Sequence, residues 1–321
     1  MSKHRLHPET DVTVRRKIQL WSVVFLVLFA IGTYYFLPRF GELSDIADAI
    51  RGASWTWVAG AFALALMTHV ISGYVQYHAG AGVGRFGRIT LIQLAGSFIS
   101  HFLPFSLGTT GLATLYYERL GMSRPRALTA ALLPIIFGVA TTLILAVVIM
   151  PLTVAQAINR YSSGMSDVSV VIGGLFATTV AVLAAALYWP HSRRVWRQVK
   201  SAINAIDSPL QLFRLTIGSL TLTMISALSL AAAMTAIQVH IGIASLLTLY
   251  IVTTLVGNAA PTPGGLGATE ATIILGLHSF GVALPAATAA TLIFRFVSFW
   301  LPIIPGGIAL ALLRHQGLRL L

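Results

Sequence analysis

The chain contains no cysteine, and only nine of its 321 residues are acidic. The first absence excludes disulfides, thiolate metal sites and cysteine nucleophiles. The second belongs to a general poverty of charge: 9% of residues are charged and 56% are hydrophobic, with mean hydropathy +0.83. So few charges cannot cover a soluble domain of this length, and the composition points to an all-α polytopic integral membrane protein. No polar stretch exceeds the linker-sized 190–213, which leaves no room for a sizeable soluble domain. Also missing are a pair of membrane-facing carboxylates, a His/Asp cluster at metal-ligand spacing and a GxxxxGK[ST] phosphate loop. An enzyme, a metal site, a cofactor and ATP-driven transport by this chain alone are therefore not expected.

What remains is basic. The formal net charge is +12, but the lysines and arginines sit in short loops beside hydrophobic runs. They read as topology signals next to anionic lipid, and not as a nucleic-acid surface. Runs long enough to cross a bilayer lie at 20–37, 54–78, 127–150, 168–188, 215–239 and 284–313. The first lacks a small-residue cleavage site and is expected to be a retained span. With the N-terminus inside, 17 of the 21 Lys and Arg residues fall on the inner side. Both termini are thus expected in the cytoplasm of a bacterial cell, with the chain in the inner membrane.

Two further apolar regions are broken in the middle, 90–117 by Pro104 and 241–277 by Pro261 and Pro263. Each half is about 14–15 residues, roughly 21–23 Å of helix, against a hydrocarbon core roughly 30 Å thick. The halves are too short to span and predict re-entrant hairpins. The two regions also resemble each other. Ser97-Phe-Ile-Ser-His101-Phe-Leu-Pro104-Phe-Ser-Leu-Gly108 aligns with Thr254-Leu-Val-Gly-Asn258-Ala-Ala-Pro261-Thr-Pro263-Gly264-Gly265, a polar side chain preceding a proline and a glycine following it. Downstream, Leu120-Gly121-Met-Ser-Arg-Pro125-Arg-Ala127 matches Phe280-Gly281-Val-Ala-Leu-Pro285-Ala-Ala287. Two blocks in order, at nearly one offset, predict an internal repeat.

Each unit then holds three spanning helices and one hairpin. Three crossings are an odd number, so the second unit is inverted relative to the first. The expected organisation is a basic cytoplasmic N-terminus (1–18), a first membrane repeat (19–150, hairpin 90–117) and an external loop (151–167). A second repeat follows (168–313, cytoplasmic loop 190–213, hairpin 241–277), then a cytoplasmic tail (314–321). A transport site is expected near the midplane, between the two hairpins.

The residues that would carry function cluster in the second broken region. Prolines break the helix there, and Gly264, Gly265 and Gly267 let backbone approach a neighbour or a phosphate closely. Glu270 is the one acid expected inside the membrane. It reads either as a first-turn cap or as a buried acid that meets a cationic headgroup, a proton or a base. Arg295, the only base deep in a span, reads either as a phosphate contact or as the ion-pair partner of Glu270. Asn258 and His101 occupy equivalent positions before their prolines, where they can line a cavity or satisfy helix carbonyls.

The string Pro261-Thr-Pro263-Gly264-Gly265-Leu-Gly267-Ala-Thr-Glu270, followed by Gly281 and a long last span, resembles the transmembrane domain of bacterial lysylphosphatidylglycerol synthases/flippases. Residues 15–315 fall within the resemblance, the N-terminal half by pattern more than by motif. Bifunctional members carry a soluble C-terminal aminoacyl-transferase domain, and this chain stops at Leu321 without one. The resemblance therefore implies a stand-alone flippase domain, with Pro261, Pro263, Gly264, Gly265, Gly267 and Glu270 at the translocation site. In the first half, Pro104-Phe-Ser-Leu-Gly108 departs from the family's basic residue and Gly-Glu, which leaves the substrate open. The expected substrate is a membrane phospholipid, aminoacylated or otherwise, or a polyprenyl-linked lipid. Anionic lipids are expected at the cytoplasmic face, and homo-oligomerisation is left open. A proton- or ion-coupled carrier of small solutes fits the same architecture, as does a partner subunit of a membrane enzyme.

Overall fold

The computed structural model of the chain describes residues 43–101, 107–160, 203, 206, 208–260 and 262–315. The chain divides into two units, Met1–Asp45 and Ile46–Leu321, and the second carries the elements that form the site. Among the described residues every regular element is helical. They are α1 (Leu43–Arg51), α2 (Trp55–Ala79), α3 (Phe86–Ser100), α4 (Leu107–Arg119), α5 (Arg124–Arg160), α6 (Pro209–Thr235), α7 (Ile243–Ala259), α8 (Ala268–Ser279), α9 (Leu284–Arg295) and α10 (Ile303–His315). A short tight turn, Pro263–Gly265, precedes α8, and one wide π-helical turn, Phe296–Trp300, joins α9 to α10.

Among the described residues four stretches are long and apolar enough to cross a bilayer: Trp55–Ala79, Arg124–Thr153, Pro209–Thr235 and Leu284–His315. They coincide with four of the six expected spans. The other two, at 20–37 and 168–188, lie outside the described residues, as do Pro104, Pro261 and the segments 1–18 and 316–321. Two expected boundaries move. Residues 151–160 continue α5 where a loop was expected, with Pro151 inside the helix. The Thr153 hydroxyl holds this extension against α7, bonding to the Ala244 carbonyl at 3.2 Å and the Thr248 hydroxyl at 2.7 Å. α6 starts six residues before the expected 215, because the Ser208 hydroxyl accepts from the Gln211 amide and Pro209 suits a first helical turn.

The bundle is apolar outside and small-residue inside. Val147 is 74% exposed, Ile144 63% and Ile243 77%, while Ala61, Ala233 and Thr291 are fully enclosed. Water would disfavour that arrangement and hydrocarbon tolerates it, since helices in lipid associate through close packing of small residues. This is an integral membrane protein.

α2 and α6 run antiparallel along their whole length. Ser54 N–H donates to the Ala236 carbonyl, the Ser229 hydroxyl to the Ala61 carbonyl, and the Gln211 amide to the His78 carbonyl. Around this pair, α3 packs on α4 and α10, and α7 packs on α8 and α5. α4 in turn rests on α5, and α8 on α9.

The turns after α4 and α8 are the same turn. Gly121 has φ 91° and Gly281 has φ 88°, a region that L side chains rarely adopt. In each, the next amide reaches back five residues, Met122 to the Tyr117 carbonyl and Val282 to the Leu277 carbonyl, both at 3.1 Å. Pro125 and Pro285 then sit in the first turn of the following helix, where a missing N–H costs nothing. The two turns thus share one local geometry.

Candidate functional site

The wide turn between α9 and α10 sets up the site. Pro302 has no N–H to offer the Ser298 carbonyl, and its ring crowds that carbonyl. The helix answers by widening, with Leu301 N–H reaching the Phe296 carbonyl at 2.8 Å. Such single-turn expansions recur at functional sites. Arg295 ends α9 at the edge of the widened turn and is only 8% exposed.

A guanidinium that deep needs partners. Its Nε donates to Glu270 Oε1 at 2.6 Å, and a second nitrogen donates to the Gly264 carbonyl at 3.3 Å. The Phe299 ring lies beneath it, 4.3 Å from Cζ to the ring centre, in cation–π contact. Glu270 in turn uses Oε2 to accept the Gly267 amide at 2.6 Å, capping α8 from its first turn. One carboxylate thus makes two of the contacts weighed for Glu270 from the sequence, the first-turn cap and the pairing with a base.

Phe299 is the residue that sequence reasoning missed. Its ring touches the Arg295 guanidinium on one side and the His101 ring on another, centroids 4.2 Å apart. Gly264 faces the same ring: a methyl group there would collide with it, and its φ of 61° already disfavours a side chain. The phenyl group thus joins the end of α3, the turn before α8 and the last helix. Its signals were Pro302, a proline inside an apolar run, and the four-residue spacing from Arg295 that puts both on one helix face.

His101 links the same elements through its nitrogens. Nδ1 lies 2.6 Å from the Ser97 carbonyl and Nε2 lies 2.9 Å from the Phe299 carbonyl. In the second segment, Gly257 and Gly265 approach each other and the Thr269 hydroxyl closely enough that a methyl on either would clash. The first segment has a matching approach, Gly96 against Thr109.

These groups line a cavity of about 370 Å³ bordered by α2, α3, α6, α7, the Pro263–Gly265 turn, α8 and the last helix. Its wall includes His101, Asn258, Gly264, Gly265 and Arg295, so five of the expected site residues come together there. Gly267 and Glu270 stand behind Arg295, off the wall. Pro263 belongs to the turn, and Pro104 and Pro261 lie outside the described residues. The phosphate cradle expected of the glycine amides is partly occupied. Gly265 N–H donates to the Thr262 carbonyl and Gly267 N–H to Glu270. Among the described residues no group of three or more His, Asp or Glu side chains is placed to hold a metal ion.

The Lysylphosphatidylglycerol synthase TM region family matches this sequence over residues 19–306. A UPF0104 membrane protein of Methanocaldococcus jannaschii is 35% identical over 68 residues, 21% of this chain and 20% of that protein. A UPF0104 membrane protein of Methanothermobacter thermautotrophicus is 27% identical over 122 residues, 36% of each chain. A phosphatidylglycerol lysyltransferase of Staphylococcus haemolyticus is 31% identical over 68 residues, 21% of this chain and 8% of that protein. The matches span 20%, 36% and 8% of the lengths of these three relatives.

Proposed function

The chain belongs to the Lysylphosphatidylglycerol synthase TM region family, and on that premise we propose that it is a lipid flippase of the bacterial inner membrane. A polar phospholipid would cross between leaflets with its headgroup in the cavity and its acyl chains in the surrounding lipid. The observation that carries this reading is the cavity itself, a polar chamber walled from both broken segments and holding a buried arginine. At about 370 Å³ it suits a headgroup, near the lower end of small-molecule sites, roughly 300–1,000 Å³. Arg295 would meet the phosphate, held in place by Glu270 and Phe299. Asn258 and His101 would contact the rest of the headgroup. The chain's part is binding and passage, with no bond made or broken.

Two inverted repeats, 19–150 and 168–313, with re-entrant segments at 90–117 and 241–277, complete the proposal. The packing supports it. Exchanging α2 with α6, α3 with α7, α4 with α8, and α5 with α9–α10 turns the neighbours of each helix into the neighbours of its counterpart. α2 lies antiparallel to α6, its own counterpart, as a two-fold axis in the membrane plane requires. The short arms also fit re-entry: α8 has 12 residues and α4 has 13, about 18–20 Å of helix. The charge bias then puts both termini in the cytoplasm.

The test is leaflet exchange of labelled lipids in proteoliposomes, comparing the wild-type chain with Glu270→Gln and Arg295→Ala. Exchange above empty liposomes, lost in Arg295→Ala and reduced in Glu270→Gln, is expected. Equal exchange in all three at the level of empty liposomes would sink the flippase reading. It would favour a solute carrier or a partner subunit instead.

A further inference from the structure

α7 stops at Ala259, beside the cavity, and one of its last carbonyls is left open. The Ala260 amide takes the Val256 carbonyl at 3.0 Å. The next carbonyl, that of Gly257, would fall to residue 261, a proline with no N–H to give. Among the described residues no donor reaches it. The end of a helix concentrates about half a negative charge on such carbonyls, so this end of α7 favours a cation.

Hydroxyls gather at the same place. The Thr269 hydroxyl and the Gly257 carbonyl both face the bare Cα of Gly265, where a methyl group would lie 2.8 Å from one oxygen and 3.0 Å from the other. Thr269 is buried on the cavity wall, and among the described residues its hydroxyl makes no hydrogen bond. Thr253, one helical turn before Gly257 and on the same wall, is 4% exposed, and its hydroxyl also has no partner. Buried polar groups in that condition are costly and call for an explanation. The first segment meets the same need internally. Where α7 has Gly257, the aligned position of α3 is Ser100, whose hydroxyl lies 3.3 Å from the Thr109 hydroxyl and accepts the Thr109 amide. Glycine removes that hydroxyl from the second segment.

The chemistry of these oxygens selects the ligand. They belong to a carbonyl and two hydroxyls, and the nearby carboxylate is engaged: Glu270 places Oε1 on the Arg295 guanidinium at 2.6 Å and Oε2 on the Gly267 amide. The arginine is therefore neutralised, and the start of α8 is capped by the same group. A divalent ion takes carboxylate ligands, which are lacking on this wall among the described residues. A monovalent ion is met by neutral oxygens, and carbonyls at the ends of broken membrane helices are suited to it.

We propose that the Gly257 carbonyl, Thr253 Oγ1 and Thr269 Oγ1 contribute to a binding site for a monovalent alkali cation at the break of the second segment, with water completing the shell. The ion would tie α7 to α8 across the break. This goes beyond the flippase reading and does not depend on what the cavity carries.

The experiment melts the full chain in detergent in NaCl, KCl, CaCl2 or choline chloride at one ionic strength. Na+ or K+ is expected to raise the melting temperature over choline, saturably, by about 4 °C at roughly ten times its dissociation constant. The larger of the two shifts identifies the ion. Ca2+ is expected to match choline. Thr253→Val and Thr269→Val keep a similar shape and break no hydrogen bond seen here, so each is expected to melt normally in choline and to lose at least half of the alkali shift. Thr253→Ser keeps the oxygen and is expected to keep the shift. Equal melting in all four salts overturns the proposal. So does a Ca2+ shift larger than the alkali one, or an alkali shift that both valine variants retain. No readout here involves lipid, so leaflet exchange can fail while the cation site stands, and the reverse.

Discussion

The two broken segments, α3–α4 and α7–α8, close with one and the same turn at Gly121 and Gly281 and carry close helix crossings built on glycine and threonine. They differ in how their breaks are held. The first is held by an imidazole, His101, lying between the carbonyls of Ser97 and Phe299. The second is held by an ion pair, Glu270 with Arg295, locked to the Gly264 carbonyl and the α8 amide. Both grips end on one residue, Phe299. The closing turn is therefore common to both segments while the buried Glu270–Arg295 pair holds only the second, so the second segment should govern function more than the first.

Removing the charged grip should have the largest effect. Arg295→Ala strands a partly buried carboxylate, with 19% of the Glu270 side chain exposed. It should lower stability on the order of 3 kcal/mol, read by thermal unfolding in detergent. A loss no larger than that of removing His101 would erase the contrast between the halves. Gly264→Ala comes next. The added methyl meets the Phe299 ring in a backbone region that L residues avoid, so a loss of about 2 kcal/mol is expected. A neutral outcome in the same melt would mean Phe299 does not seat against that turn. His101→Ala removes the imidazole grip and should cost about 1 kcal/mol, the net value of an ordinary hydrogen bond, while slowing leaflet exchange less than Arg295→Ala does. Abolished exchange in a stable protein would show that the first half carries function too. Smallest are Gly121→Ala and Gly281→Ala, expected to lose about 1 kcal/mol each and to match one another. A clear inequality would break the equivalence of the two turns.

Much of this was legible in the sequence, for physical reasons. Long apolar runs announce spanning helices because a bilayer demands them, and four of those expected are present among the described residues. The pairing of Gly121 with Gly281 was visible because a positive φ tolerates few residues other than glycine. The Glu270–Arg295 pair could be anticipated because isolated charges are too costly in apolar surroundings. The position of the carboxylate was not legible. Whether it lines the chamber or stands behind the arginine depends on helix rotation, which composition does not encode. Phe299 escaped because an aromatic in an apolar run looks like core until its neighbours in space are known. The continuation of α5 through Pro151 was hidden for a similar reason: a proline bends a helix whose far end is held by tertiary contacts, and here Thr153 supplies them.

Inversion of the two halves about the cavity is the central claim, and the absence of cysteine makes it directly measurable. Ser123 and Ala283 are exposed and occupy equivalent places just after the two matching turns. Single variants Ser123→Cys and Ala283→Cys can be labelled in intact cells and in inside-out vesicles with a membrane-impermeant maleimide. The account predicts labelling of Ala283→Cys only from outside the cell and of Ser123→Cys only from the cytoplasmic side. Labelling of both from the same face would contradict it.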